Sequence, residues 1–142
     1  MYKLISAKFD PETKASIATI GTDLGIFEGI VTIREEDIPY ASKFFGCELA
    51  ELRAYTSYAK AKVKHYAAQR TALVNFYKTM KGTREFNASA YYVKQLDRHI
   101  QEITEQKNSW RRIVAECQKT YHKLVLRRDE MNTKLLKYRK EN

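Results

Sequence analysis

A mainly α protein with a small β appendage is the fold class the sequence predicts: a three-stranded antiparallel meander followed by a long antiparallel coiled-coil helical hairpin. Three observations carry that expectation. Short β-prone runs separated by turn residues are confined to the first 33 of 142 residues, apolar residues then recur at alternating spacings of three and four, and Lys81-Gly82 interrupts that pattern once.

The runs 2–9 (YKLISAKF), 15–20 (ASIATI) and 26–33 (IFEGIVTI) flank DPETK and GTDLG, both rich in turn residues. In the third run Phe27, Gly29, Val31 and Ile33 share one face and Ile26, Glu28, Ile30 and Thr32 the other. The first set is the expected buried face, with Gly29 as a candidate bulge. So small a sheet cannot stand alone, so its apolar face must lie on the helices or on another protomer.

REEDIP places Glu35, Glu36, Asp37 and Pro39 where a helix N-terminus favours carboxylates and tolerates proline. A short helix bending at Gly46 is expected next. From Cys47 to Met80 a seam runs through Leu49, Leu52, Thr56, Ala59, Val63, Tyr66, Arg70, Leu73, Tyr77 and Met80. After GTREFN, with Asn87 or Ser89 as N-cap, a second helix begins near Ala88. Its seam passes through Val93, Leu96, Ile100, Ile103, Lys107, Trp110, Val114, Cys117, Tyr121, Leu124, Arg128, Met131, Leu135 and Tyr138, the pattern of a coiled coil. The short connection makes the helices antiparallel neighbours, with Met80 facing Val93 and Leu49 facing Leu124. Residues beyond that register project past the pair, and Val125, Leu126 and Leu136 give this overhang a second apolar face. The expected organisation is residues 1–34 as a meander packed on residues 35–142, one structural unit overall.

Charge is distributed unevenly. Residues 1–40 carry four basic and seven acidic side chains, residues 41–142 twenty-two and ten, within a total of +9. The positive charge belongs to the helices and favours an acidic partner: nucleic acid, an anionic surface or an acidic protein. The N-terminus lacks a signal peptide's apolar region and no stretch is long and apolar enough to span a bilayer, so the expectation is a cytoplasmic protein without a membrane partner.

Enzyme chemistry finds little purchase. His65, His99 and His122 lack metal-ligand spacing, Cys47 and Cys117 form no CxxC, and GTDLGIFEG lacks the Lys-Ser/Thr of a phosphate loop. No catalytic residue, metal or cofactor is expected, and the two cysteines are read as buried, unpaired thiols.

The candidate binding residues are Lys60, Lys62, Lys64, Arg111, Arg112, Lys119 and Lys123, a track for phosphates, with Tyr55 and Tyr58 to stack on unpaired bases. A partner protein with an acidic surface is the alternative ligand for the same face. Ala54, Ala61 and Ala68, spaced by seven, form a small-residue stripe suited to close helix approach, and the expectation is a homo-oligomer.

The block GIFEGIVTIREEDIPYASKFFGCELAELRA, followed by a basic hairpin, resembles small proteins encoded by phages and prophages of bacteria. The likeness spans about the first 80 residues and implies a phage-type accessory protein in the host cytoplasm, without an activity to transfer. The expected function is therefore non-catalytic binding of nucleic acid, single strands favoured. The alternative is a protein-binding module, either a virion or assembly component or an inhibitor of a host enzyme or defence system.

Overall fold

The computed structural model describes residues 2–32, 43–81, 83 and 90–141. Strands β1 (Lys3–Asp10), β2 (Ala15–Thr22) and β3 (Gly25–Thr32) form an antiparallel sheet in the order β1-β2-β3, as the turn spacing predicts. Both turns are closed by short polar side chains. The Asp10 carboxylate accepts hydrogen bonds from the Glu12 N–H (3.0 Å) and the Thr13 hydroxyl (2.9 Å), which hold its carboxyl below the usual range, while Lys14 takes the left-handed conformation (φ 56°). The Thr22 hydroxyl donates to the Gly25 carbonyl (2.7 Å) and accepts from the Leu24 N–H (3.1 Å). Gly25 has φ 110°, which glycine adopts without strain.

The bulge lies elsewhere than the sequence suggests. The β2–β3 register is unbroken through Ala18 opposite Gly29, whereas the β1–β2 register slips between Leu4 and Ser6. Gly29 answers to packing instead.

Helices α1 (Lys43–Met80) and α2 (Ala90–Glu141) pack against each other as an antiparallel hairpin. α1 is helical without interruption through Gly46. Its C-terminus closes where Lys81-Gly82 suggests: the Lys81 N–H donates to the Tyr77 carbonyl (2.8 Å) and the Thr83 N–H to that of Met80 (2.9 Å). The expected helix start at Glu35 to Pro39 and the Asn87 or Ser89 cap lie outside the described residues.

The chain divides into two compact units, and the division cuts across both helices rather than between sheet and hairpin. Unit 1 comprises Met1–Tyr58 and Val114–Asn142, and unit 2 comprises Ala59–Ile113.

In unit 1, Ala18, Val31, Leu49 and Ala50 form a buried cluster against which Tyr121, Leu124 and Val125 pack. Leu124 thus packs on the cluster that holds Leu49, in keeping with the approximate register the seam predicts. Of the expected overhang face, Val125 is covered here, Leu126 and Met131 are exposed, and the Leu136 side chain lies outside the described residues. On the sheet, Phe27, Gly29 and Val31 are buried or half-buried and Ile26, Glu28, Ile30 and Thr32 exposed, as the alternation requires.

The sheet lies directly on α1. A Cβ on Gly29 would collide with the Ala50 carbonyl oxygen and stand 2.6 Å from the Ala54 nitrogen, while a Cβ on Gly46 would strike the Ser16 hydroxyl. Small residues on both elements permit this approach: Ala18, Ala50 and Ala54 are fully buried. Arg53 closes the same unit, donating from Nη1 to the Ile30 carbonyl (2.6 Å) with its guanidinium carbon 5.1 Å from the centre of the Tyr121 ring.

Unit 2 is a two-helix segment with a thin core. Ala59 and Ile103 are buried, and the seam residues Val63, Tyr66, Leu73, Tyr77, Met80, Val93, Leu96, Ile100 and Trp110 are half-buried. The polar seam member Arg70 donates from Nε to the Thr104 hydroxyl (3.0 Å), which itself donates to the Ile100 carbonyl (2.8 Å).

Candidate functional site

The expected cations occupy both units, and each unit has its own chemistry. In unit 2, Lys60 and Lys64 stand one turn apart on α1, about 6 Å along the axis, and are exposed, as are Arg111 and Arg112 on α2. The Lys62 ammonium lies 5.6 Å from the centre of the Trp110 ring, which places the Lys60–Lys64 turn and the Arg111–Arg112 pair at one level of this unit. Four exposed cations therefore lie within a short length of hairpin, Lys60 and Lys64 on the side of α1 away from Lys62.

Lys62 is not one of them. It is 8% exposed, its ammonium between the Trp110 ring and the Tyr66 ring (5.7 Å), so its stem and head group belong to the helix interface. The placement corrects the expectation from alternating lysines: residues 60 and 64 share a face, whereas residue 62 is turned about 200° from residue 60 toward the seam.

In unit 1, Lys119 and Lys123 are exposed on α2, and Lys119 pairs at 3.8 Å with the exposed Glu116. An exposed pair of this kind is worth about 0 to 1 kcal/mol. Lys119 thus keeps most of its availability to another anion.

The stacking tyrosines are the larger correction. Tyr58 is 1% exposed, its hydroxyl donating to Asp23 Oδ1 at 2.5 Å and its ring lying 5.6 Å from that of Phe27. Tyr55 is half-buried, with its ring 4.9 Å from Tyr2. Burial raises the Tyr55 hydroxyl pKa, with the neighbouring Cys117 adding to it. Both rings join the sheet to α1, and Tyr58 offers no face to a base.

The same contact accounts for the alanines. Ala54 is fully buried under Gly29 of its own chain, Ala61 is half-buried and Ala68 exposed. The close approach that a small-residue stripe permits is made at Ala50 and Ala54 by the sheet, so Ala54 is no part of an intermolecular helix contact.

Exposed aromatics are found elsewhere. Tyr91 (69% exposed) and Tyr92 (63%) open α2 with ring centres 5.8 Å apart, in the same unit as Phe76, also exposed. Lys94 and Arg98 follow within two turns and are exposed as well. The sequence signal was present: Tyr91 and Tyr92 precede the first seam residue Val93, off the apolar stripe.

Cys47 and Cys117 are free thiols, the first half-buried and the second buried. Burial pushes the Cys117 thiol pKa up against a hydrogen bond from Thr56 that lowers it, the reverse of what a nucleophilic thiolate needs. Among the described residues no three His, Cys, Asp or Glu side chains converge to hold a metal ion, and no helix is long and apolar enough to cross a membrane.

Unit 2 holds twelve basic and four acidic side chains, unit 1 fourteen and thirteen. Eight of the nine net positive charges thus reside in residues 59–113. Comparison with protein-family models, with curated proteins and with solved structures finds no match.

Proposed function

We propose that this is a non-catalytic accessory protein of phage type that binds nucleic acid through the phosphate backbone, and that the 59–113 hairpin is the binding element. The observation that carries the reading is the charge balance of that unit, twelve basic side chains against four acidic, with Lys60, Lys64, Arg111 and Arg112 exposed at one level. A field of this sign and density draws in a polyanion and gains from counterion release on each phosphate contact. It selects no sequence.

The preference for single strands rests on Tyr91 and Tyr92, not on Tyr55 and Tyr58. Two exposed rings beside Lys94 combine the stacking surface and the backbone charge that unpaired bases require. Replacing Tyr91 and Tyr92 together by Ala should weaken single-strand binding by about 1 to 3 kcal/mol per base stacked and leave duplex binding nearly unchanged. Equal losses on both substrates would remove the stacking role and leave a purely electrostatic one. Tyr55→Ala should instead lower stability, because that ring packs on Tyr2.

A further inference from the structure

The outer face of the sheet carries exposed isoleucines among charged side chains. Ile26 is 71% exposed, Ile5 55% and Ile30 49%. Their pairing makes one patch: Ile17 stands beside Ile30, Gly21 beside Ile26, and the Ile5 side chain fills the place above Gly21 that a Cβ there would meet at 3.3 Å. The Thr19–Glu28 row runs between the isoleucines, and exposed apolar side chains set among charges in this way fit an interaction surface.

We infer that this face binds a second copy of the chain, sheet on sheet, about a two-fold axis running along β2. The charges on the face decide for a second copy and for that axis. On the outer side β1 contributes Lys3 and Lys8, paired across from Gly21 and Ile17, and β3 contributes Glu28, paired with Thr19 between them. The β1 edge carries these two cations and, at its end, Asp10, whose carboxylate is held in the following turn; the β3 edge carries Glu28. A two-fold axis along β2 lays β1 of one protomer over β3 of its partner, so that Glu28 arrives between Lys3 and Lys8, and does so twice by symmetry. Ile17 then meets its own copy across the axis, and Ile26 comes over the partner's β1 edge near Ile5, at the spacing of stacked sheets, about 10 Å. A two-fold axis across the strands would instead set Glu28 on Glu28 and Lys3 on Lys8, and like charges so placed repel.

The edges of the sheet are poorly suited to the alternative of strand addition. β1 carries the irregularity between Leu4 and Ser6, and the Ile30 carbonyl of β3 is taken by Arg53 of α1. Bulged and occupied edges resist a new strand. The face remains.

Sedimentation equilibrium on the nuclease-treated full chain tests this. The wild type should be a dimer at micromolar concentration, and Glu28→Lys should raise the dimer dissociation constant about tenfold or more, as should Lys3→Glu with Lys8→Glu. Combining all three changes exchanges the charges and should restore the wild-type constant to within a few fold. Ile26→Lys with Ile30→Lys should give a monomer with unchanged circular dichroism. The inference is overturned by a wild type that stays monomeric to high micromolar concentration, by a folded Ile26→Lys, Ile30→Lys variant that still dimerises as the wild type does, or by a charge-exchanged variant no tighter than Glu28→Lys alone.

Discussion

Gly29 on β3 lies over Ala50 on α1 so closely that the backbone of the helix, and not a side chain, is what the strand touches. The contact sets the distance between sheet and helix and leaves no volume for a Cβ on Gly29. Gly29→Ala and Ala50→Val should each destabilise the protein by about 1 to 3 kcal/mol, the cost of overpacking a closed site. Urea unfolding followed by circular dichroism measures it, and a wild-type midpoint for Gly29→Ala would place the strand farther from the helix than the structure has it.

Ser16 meets Gly46 at the neighbouring contact, and its hydroxyl is fully buried without a hydrogen-bond partner among the described residues. A buried polar group left unpaired costs about 1 to 3 kcal/mol, so Ser16→Ala should raise stability by about 1 kcal/mol. Gly46→Ala should do the opposite through steric collision with Ser16. A destabilised Ser16→Ala would show that the hydroxyl makes a bond in solution.

Tyr2 ties β1 to α1 by donating its hydroxyl to Glu51 (2.8 Å), and burial, followed by the Glu51 carboxylate, pushes its pKa up to about 12 from 10.0. The folded state then holds this proton more tightly than the unfolded chain does. Its contribution to stability is complete below pH 10 and is lost as pH rises toward 12. Tyr2→Phe should lower stability at pH 8, and its decline in alkali should be shallower than that of the wild type. Unfolding midpoints measured across the alkaline range compare the two, and parallel declines would mean that other groups govern the alkaline transition.

Most of the fold is legible in the sequence because it is written in two strong periods. Alternation in 26–32 gives the buried face of β3, residue 33 lying outside the described residues, and the three-four spacing gives the seam and an approximate register, with Leu124 on the cluster that holds Leu49. What escaped is a second stripe on α1, Ala50, Ala54 and Tyr58, which receives the sheet. Alanine is ambiguous there, since it suits an exposed helix as well as a close contact, and two of the stripe's three members are alanine. Gly46 and Gly29 were the missing half of the signal, because a glycine within a helix and another within a strand both mark close backbone approach. Without that stripe Tyr55 and Tyr58 read as free rings. Charge was legible at coarser grain: the helices are basic, but which lysine faces the seam depends on a single helical step, as Lys62 against Lys60 and Lys64 shows.

The central claim is that the exposed cations of residues 59–113 hold a phosphate backbone, and the salt dependence of binding to a labelled single-stranded oligonucleotide tests it most directly. Between about 50 and 200 mM salt the wild type should lose affinity with a log-log slope of about −3, the value for four contacts on a single strand. Replacing Lys60, Lys64, Arg111 and Arg112 with Gln should make that slope much shallower with circular dichroism unchanged, whereas Lys62→Gln should lower stability and leave the slope as it was. No binding by the folded wild type at about 50 mM salt, or a slope that survives loss of the four cations, would contradict the account.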